Sequence, residues 1–363
     1  MKRRWLVVLV LAMLIIPLTH IQAQDSTIDP PPASYAEVEA SYNAFVETTT
    51  AQGSAVIDQF LNQEFDAIYE QFSPEMQAEV SLEQLETGYM QITAAAPIGE
   101  RVGFRALSAA GERLYSEVYD WNALHLVLVT AFGEDDTITG LSLHMFAPQP
   151  GDPAAGYKNK TSFRLPFDGL WYTFWGGADR LHNYHVDAPP QRHAYDFVIW
   201  NDGSTFTGDG TANTDYYVYG QTVLAPAAGE VVHVVNDLPE SLPQIETDAD
   251  HPAGNHVILK VAENEYLFLA HMQPGSILVK VGDSVEPGQP IGLVGNSGNT
   301  SEPHLHIHLQ NTPDLFSYDD DGAITGFPPD TIGLPLPFSG YLADGEPVES
   351  GSPQGGLFVQ HVS

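Results

Sequence analysis

The spacing of apolar residues changes at a proline- and glycine-rich joint, Ala147–Pro153, and this change limits the folds open to the chain. Between Tyr35 and Phe72, apolar residues recur mostly at intervals of three and four, as in amphipathic helices. Strand-like runs follow this helical stretch at Arg113–Tyr119, Leu124–Phe132 and Ile138–Phe146. Beyond the joint, short apolar runs alternate with turn residues, and helical spacing does not return over any length. The pattern predicts a small α+β domain followed by a mostly antiparallel β domain.

Two helix starts are marked within the first domain. Ser73 precedes Pro74, and Ser81 is followed three positions later by Gln84, the spacing of a capping box. The expected division of the chain is a signal peptide at 1–23, a linker at 24–34, the α+β domain at 35–147, a second linker at 148–160, the β domain at 161–343 and a flexible tail at 344–363. The tail is rich in Gly, Pro and Ser, and Leu357–Val359 is a candidate short strand within it.

The N-terminus has the pattern of a secretory signal. Basic residues at 2–4 precede the apolar run Leu6–Leu18, and Ile21–Ala23 ends in a small residue suited to cleavage. The run is about a dozen residues long, short of the roughly 20 that span a bilayer. We therefore expect a secreted, extracytoplasmic protein of the cell envelope that leaves the membrane after cleavage, with an uncleaved anchor as the alternative.

Acidic residues outnumber basic ones by 47 to 13, which gives a net charge of -34 at pH 7. A surface this negative repels nucleic-acid phosphates and anionic lipid headgroups, so neither is an expected partner. High solubility accounts for the same charge without any partner. Cysteine is absent, so the exported protein must be stable without disulfides.

Three histidines alternate with apolar residues in Pro303–His308, directly after the glycine-rich run Val294–Glu302. Side chains two positions apart on a strand leave the same face, so His304 and His306 are expected side by side. One imidazole can hold a metal ion while its neighbour reaches a bound water or the substrate. His308 continues the same face, either supporting the site by hydrogen bonding or facing solvent at the end of the strand.

Further segments of the β domain accompany the histidine segment in a characteristic order: Tyr195–Phe197, Gly220–Val232, Tyr266–Met272 and Val281–Gly292. In this order the segments resemble the lysostaphin-like (LytM-type) zinc metallopeptidases, over most of residues 175–335. The resemblance implies a lysostaphin-like fold, a bound Zn²⁺ and a secreted endopeptidase that hydrolyses peptide cross-links of bacterial peptidoglycan. Peptidoglycan peptides are then the expected partners.

The resemblance also assigns roles to individual residues. Asp196 and His306 match zinc ligands, and His271 and His304 match the two catalytic histidines. Two imidazoles and one carboxylate leave a fourth tetrahedral position for water, whose pKa zinc lowers towards roughly 7. Either catalytic histidine then accepts the proton while the other stabilises the tetrahedral oxyanion.

The remaining zinc ligand departs from the family pattern, which commonly places a histidine four residues before the aspartate. That position is Arg192 here, and His193 lies at an odd spacing from Asp196, which points it to the opposite face unless a bulge intervenes. His185, in the upstream segment Leu181–Val186, is the favoured ligand, and His193 is the alternative.

The first domain carries weaker signals. Its order of elements and the segment Phe65–Met76 resemble small cystatin-like or nuclear-transport-factor-like domains, for which a spacer, wall-positioning or inhibitory role is open. His125 and His144 are expected to be packed or surface residues of its strands. The displaced ligand favours one alternative for the whole protein, a catalytically lapsed relative that binds wall peptides or regulates another cell-wall hydrolase. The scissile bond and the oligomeric state are not readable from the sequence.

Overall fold

A computed structural model describes residues 32–362, so the predicted signal peptide and most of the linker at 24–34 lie outside the described residues. The first unit contains four helices and four strands: α1 (Tyr35–Leu61), α2 (Phe65–Tyr69), α3 (Pro74–Glu79), α4 (Leu82–Ala95), β1 (Arg101–Ala109), β2 (Glu112–Trp121), β3 (Leu124–Phe132) and β4 (Ile138–Phe146). The strands form an antiparallel meander in chain order. The α+β prediction is confirmed, although β1 has no counterpart among the predicted strands. The cystatin-like or nuclear-transport-factor-like type stays a prediction.

Both predicted helix starts are capped as expected. The Ser73 hydroxyl accepts a hydrogen bond from the Met76 backbone N–H at 3.1 Å, at the start of α3. At the start of α4, the Ser81 hydroxyl accepts from the Gln84 N–H while the Gln84 side chain accepts from the Ser81 N–H. These bonds satisfy backbone donors that the first turn of a helix leaves unpaired.

The second unit is built from short strands: β5 (Leu170–Trp175), β6 (Tyr195–Val198), β7 (Thr222–Leu224), β8 (Gly229–Val235), β9 (Asn255–Ala262), β10 (Glu265–Met272), β11 (Ser284–Val285), β12 (Pro290–Leu293), β13 (Leu305–Gln310), β14 (Ser317–Tyr318), β15 (Ile324–Gly326), β16 (Gly333–Leu334), β17 (Phe338–Ala343), β18 (Glu346–Gly351) and β19 (Phe358–His361). One large sheet has the order β11-β8-β9-β10-β13-β6-β5-β19-β17-β18, and β16 also pairs with β13. Its described pairings are antiparallel, which confirms the predicted fold class.

The central strand β13 separates the core from the candidate site. Leu305, Ile307 and Leu309 are fully buried in the main hydrophobic cluster of the unit. His306 and His308 alternate with them and therefore leave the opposite face. Both imidazoles are nonetheless buried, because other segments cover that face.

The flexible tail predicted at 344–363 is wrong for its described residues. β18 pairs with β17, and β19 lies between β5 and β17 inside the large sheet. Phe358 and Val359 are buried there, in agreement with the candidate strand at Leu357–Val359. The composition is misleading here because a few apolar side chains on a central strand bury enough surface to order the glycine- and proline-rich segments around them.

Helix α1 packs against both units. Its C-terminal half contributes Val56, Ile57 and Phe60 to the core of the first unit. Its N-terminal half contributes Val38 to a separate cluster with residues of β5, β6 and β19, and the Tyr42 hydroxyl donates to the Gly356 carbonyl at 2.8 Å. The two units are therefore joined by a shared helix. No helix within residues 32–362 is long and apolar enough to cross a membrane.

Candidate metal centre

The predicted site residues gather in two overlapping groups. One ligand atom each of His185, Asp196 and His306 lie within 4.8 Å of one another, and so do those of His271, His304 and His306. Four of the five are buried, and the His304 side chain is 12% exposed. His306 belongs to both groups, so the candidate ligands and the candidate catalytic histidines share one small volume.

Strand register brings Asp196 and His306 together. The two residues lie directly opposite each other on the antiparallel strands β6 and β13. Directly opposed residues present their side chains on the same face of a sheet. Nδ1 of His306 consequently lies 2.8 Å from Oδ1 of Asp196.

A loop holds His185 against this pair. The loop joins β5 to β6, and the fully buried side chain of Asn183 organises it. The Asn183 amide oxygen accepts from the His185 backbone N–H at 3.2 Å and from its Nδ1 at 2.9 Å, while the amide nitrogen donates to the carbonyls of Gly177 and Ala194. With Nδ1 occupied, Nε2 of His185 is the free ring nitrogen, 3.5 Å from Oδ2 of Asp196.

His193, the alternative ligand, is not brought to either group. Its Nε2 lies 3.2 Å from Oδ2 of Asp152, in the joint that precedes the β unit. Arg192 faces the same carboxylate at 3.7 Å and is mostly buried. His193 lies in the turn before β6 and not on the strand, and its side chain meets Asp152 instead of the candidate ligands.

His271 reaches the site through an unusual backbone conformation. Its neighbour Ala270 is directly opposite His306, so regular alternation would point His271 to the other face. The pairing of β10 with β9 shifts register between Leu269 and Met272, and His271 has a φ of 65°, a left-handed value rare for residues with a side chain. Strain of this kind concentrates at functional positions.

Backbone carbonyls hold the Nδ1 atoms of both candidate catalytic histidines. Nδ1 of His271 donates to the Ser297 carbonyl at 2.8 Å, and Nδ1 of His304 donates to the Glu302 carbonyl at 2.9 Å. A Cβ atom on Gly254 would lie 2.1 Å from the Ser297 oxygen, so only glycine permits this close approach of two backbones. Both histidines therefore keep Nε2 for the site.

The electrostatics of the group suit a metal. Burial lowers the pKa of His185 to about 3. Burial alone raises the pKa of Asp196, but the neighbouring His185, His304 and His306 outweigh it and hold that pKa well below its usual value. Burial also lowers the pKa of His271 well below normal, and the neighbouring His304 and His306 add to the shift. A neutral imidazole beside an ionised carboxylate is the protonation state in which these side chains bind metals.

The donor set fits zinc. Two imidazole nitrogens and one carboxylate oxygen converge, and zinc in catalytic sites takes three such protein ligands. Nδ1 of His306 and Oδ1 of Asp196 are 2.8 Å apart, so the two atoms are close enough to face one ion. The arrangement of these residues could therefore hold a metal ion.

Sequence reasoning gave no role to two polar neighbours of the group, Asn183 and Gln310, and left two alternatives for a third, His308. Asn183 orients His185, and its signal was an amide two residues before the histidine. The solvent-facing alternative for His308 is wrong, since this residue is buried with Nδ1 2.9 Å from Nε2 of His306. Gln310 extends the same alternation, which could have been followed two residues further along the strand.

The first unit contacts the loop that carries His185. The buried side chain of Arg105, on β1, donates to the carbonyls of Phe174 and Leu181 and lies 4.5 Å from the centre of the Trp175 ring. A groove of about 780 Å³ opens between the exposed face of the first sheet and this loop. Tyr184 lines the groove and packs on the His185 ring at 4.0 Å. The two units thus meet beside the candidate metal centre.

Part of the β unit matches a known protein family. Residues 213–316, which include β10 and β13 of the large sheet, match the family model described as peptidase family M23. The chain therefore contains a peptidase M23 domain. The matched range includes His271, His304 and His306, whereas His185 and Asp196 lie upstream of it.

Curated relatives cover short stretches of the chain. Peptidoglycan DD-endopeptidase ShyA of Vibrio cholerae is 44% identical over 61 residues, which are 16% of this chain and 14% of that protein. Cell division protein DipM of Caulobacter vibrioides is 31% identical over 94 residues, 26% of this chain and 13% of the relative. This chain thus spans about a seventh of the length of these relatives, and the likeness concerns one domain.

Matches among solved structures include a zinc-containing peptidase from Vibrio cholerae and the catalytic domain of lysostaphin from Staphylococcus simulans. The first is 19% identical with a TM-score of 0.26 and covers 52% of this chain and 54% of its own. The second is 20% identical with a TM-score of 0.24 and covers 43% of this chain and 86% of its own. Residue roles must accordingly come from the geometry of this chain.

Proposed function

We propose that this protein is a secreted zinc endopeptidase that hydrolyses peptide cross-links of bacterial peptidoglycan. The observation that carries the proposal is the placement of three candidate ligands, His185, Asp196 and His306, directly against two further histidines, His271 and His304. A structural zinc site is closed by four protein ligands, whereas a catalytic site has three and keeps one position open. The present group has the catalytic pattern.

The chain's own residues divide the work. His185, Asp196 and His306 would hold zinc, which supplies Lewis acidity toward a water molecule and a peptide carbonyl when bound there. His304 and His271 each anchor Nδ1 on a backbone carbonyl, which leaves Nε2 as the reactive nitrogen. One of them accepts a proton at Nε2, and the other donates a hydrogen bond to the negative charge that develops on the carbonyl oxygen.

Substrate class and location rest on the relatives. ShyA is named as a peptidoglycan endopeptidase, and it shares with this chain the segment in which identity reaches 44%. Peptidoglycan peptides lie outside the cytoplasm, in agreement with the signal pattern at 1–23. The groove beside Tyr184 leaves room for an extended peptide along the loop that carries His185.

Digestion of purified peptidoglycan tests the proposal. The protein should release new amino termini, a chelator should abolish the release, and added zinc should restore it. His304→Ala should bind zinc but release nothing, while His193→Ala, which alters a histidine outside both groups, should remain active.

Zinc binding without chelator-sensitive release would contradict the enzymatic proposal. That result would instead favour the lapsed relative that binds wall peptides or regulates another hydrolase. A protein that binds neither zinc nor peptidoglycan would contradict both.

A further inference from the structure

A line of hydrogen bonds runs along one face of β13 away from the candidate metal centre. Nε2 of His306 lies 2.9 Å from Nδ1 of His308, and Nε2 of His308 lies 3.2 Å from the amide oxygen of Gln310. The amide nitrogen of Gln310 donates to the carbonyls of Thr312 and Asp314, both at 2.8 Å. His308 and Gln310 are almost fully buried, so water does not compete for these bonds.

The carbonyls of Thr312 and Asp314, at the end of this line farthest from the metal centre, determine which atom donates in every bond. Backbone carbonyls accept only, so the two carbonyls fix the Gln310 amide with its nitrogen toward them and its oxygen toward His308. The amide oxygen also accepts only, so Nε2 of His308 carries the hydrogen. A neutral imidazole has one N–H, and Nδ1 of His308 is therefore an acceptor. Nε2 of His306 must donate to it.

The consequence falls on the metal ligand. With its hydrogen on Nε2, His306 keeps its lone pair on Nδ1, the nitrogen that faces Oδ1 of Asp196 at 2.8 Å. His185 has the opposite arrangement, since its Nδ1 is hydrogen-bonded to Asn183 and its Nε2 is free. The two histidines thus offer different ring nitrogens, each selected by a buried amide side chain.

We propose that Gln310 and His308 are positioning residues that select the Nε2–H tautomer of His306 and thereby leave Nδ1 free for metal binding. Packing supports the role of His308, whose ring is stacked on Phe268 at 4.4 Å and 10° and is thereby held in the plane that the hydrogen bonds require. Hydrogen-bond partners of metal-bound histidines fix the tautomer and ring orientation in this way. The inference rests on the proposed zinc site, but it concerns residues that touch neither the metal group's carboxylate nor the substrate.

Zinc affinity of full-length variants, measured by competition with a chelator, tests the inference. His308→Leu removes the acceptor for His306 and should weaken zinc binding roughly 10- to 100-fold. His308→Gln can accept from His306 with its oxygen and donate to Gln310 with its nitrogen, so it should restore most of the affinity. Gln310→Met leaves both imidazoles in place but no longer fixes which ring nitrogen carries the hydrogen. Its loss of zinc affinity should be intermediate.

A control and a second readout separate this role from general packing. Leu309→Met alters the same strand on its core face and should leave zinc affinity unchanged. Nitrogen-15 NMR of the imidazoles should find the His306 hydrogen on Nε2 in the wild type and a mixture of tautomers in Gln310→Met. Gln310→Met also keeps the test open if His308→Leu fails to fold.

The outcomes distinguish the two proposals. If the wild type binds no zinc, the proposed function fails. If the wild type binds zinc and both His308→Leu and Gln310→Met bind it equally tightly, the proposed function stands and the positioning role is overturned.

Discussion

The two halves of the candidate metal group are held in different ways. Asp196 and His306 lie on adjacent strands, and their proximity follows from the register of the central sheet. His185 lies on the loop between β5 and β6, and its position depends on the amide of Asn183 and on Arg105 from the first unit. Strands place side chains through many cooperative backbone bonds, whereas a loop needs individual side-chain contacts. The loop half is therefore the more vulnerable to single substitutions outside the ligands.

Removing a ligand from the strand half should have the largest effect. His306→Ala takes a member from both histidine groups, so we expect loss of stoichiometric zinc and of peptidoglycan hydrolysis. Zinc content after dialysis and release of amino termini measure the two losses. Retention of zinc by a folded variant would show that the strand half does not hold the metal.

Removing the ligand from the loop half should cost nearly as much. His185→Ala leaves only two protein ligands, too few for a catalytic zinc site, and should also lose the metal. His193→Ala is the matched control and should keep full zinc content because its side chain faces Asp152. Loss of zinc from His193→Ala but not from His185→Ala would make His193 the ligand instead of His185.

Loosening the loop without removing its ligand should have a smaller effect. Asn183→Ala removes the acceptor that holds Nδ1 of His185, so zinc affinity should fall roughly 10- to 100-fold. Asn159→Ala removes a comparable amide-to-carbonyl bond, to Pro335, and should leave affinity unchanged. Equal affinity of the two variants would mean that the loop is held by other contacts.

The contribution of the first unit should be smaller again. Arg105→Gln shortens the side chain that binds the carbonyl of Phe174 on β5 and that of Leu181 in the loop, so zinc affinity should fall by less than about tenfold. Hydrogen exchange at residues 176–187 should become faster. Arg113→Gln, which alters an arginine paired with Asp136 on the same unit, is the control. Unchanged exchange in Arg105→Gln would leave the metal centre independent of the first unit.

The last effect is on folding stability instead of zinc binding, and it compares a loop-held with a strand-held histidine through pH. Burial lowers the pKa of His185 to about 3 and that of His256, on β9, to about 4. Below about pH 6.5 both histidines bind a proton in the unfolded chain but stay neutral in the folded one. The free energy of unfolding should therefore fall as the pH falls from 7 to 5, by about 2 kcal/mol per histidine. Burial raises the pKa of Glu302 to about 7, and this carboxyl acts in the opposite direction because its contribution is lost as the pH rises.

Urea unfolding of the metal-free protein at both pH values measures this dependence. His185→Gln and His256→Gln should each remove about 2 kcal/mol of the difference between pH 7 and pH 5. A normal dependence in His185→Gln, together with a reduced one in His256→Gln, would mean that the loop around His185 opens when metal is removed while β9 stays folded.

Much of the fold followed from local patterns. Helical spacing, the two capping serines and the joint at Ala147–Pro153 predicted an α+β unit before a β unit, and the large sheet is antiparallel as expected. The tail was misjudged because composition carries no information about Phe358, whose burial depends on α1 from the opposite end of the chain. Strand β1 was missed for a related reason, since its buried residues alternate only weakly with its exposed ones.

Periodicity alone predicted one shared face for His304, His306 and His308. In the structure His306 and His308 lie on that face of β13 and His304 directly precedes the strand, while Leu305, Ile307 and Leu309 fill the core, because side chains on a strand alternate. Tertiary structure decided the rest of the site. Contacts between residues far apart in sequence bring His185, and not His193, to the site. They also set the left-handed backbone of His271 and the ring nitrogen that His306 presents. No local pattern encodes such contacts, because loop closure and the packing of Asn183, Gly254 and Arg105 are set only when the whole chain has folded.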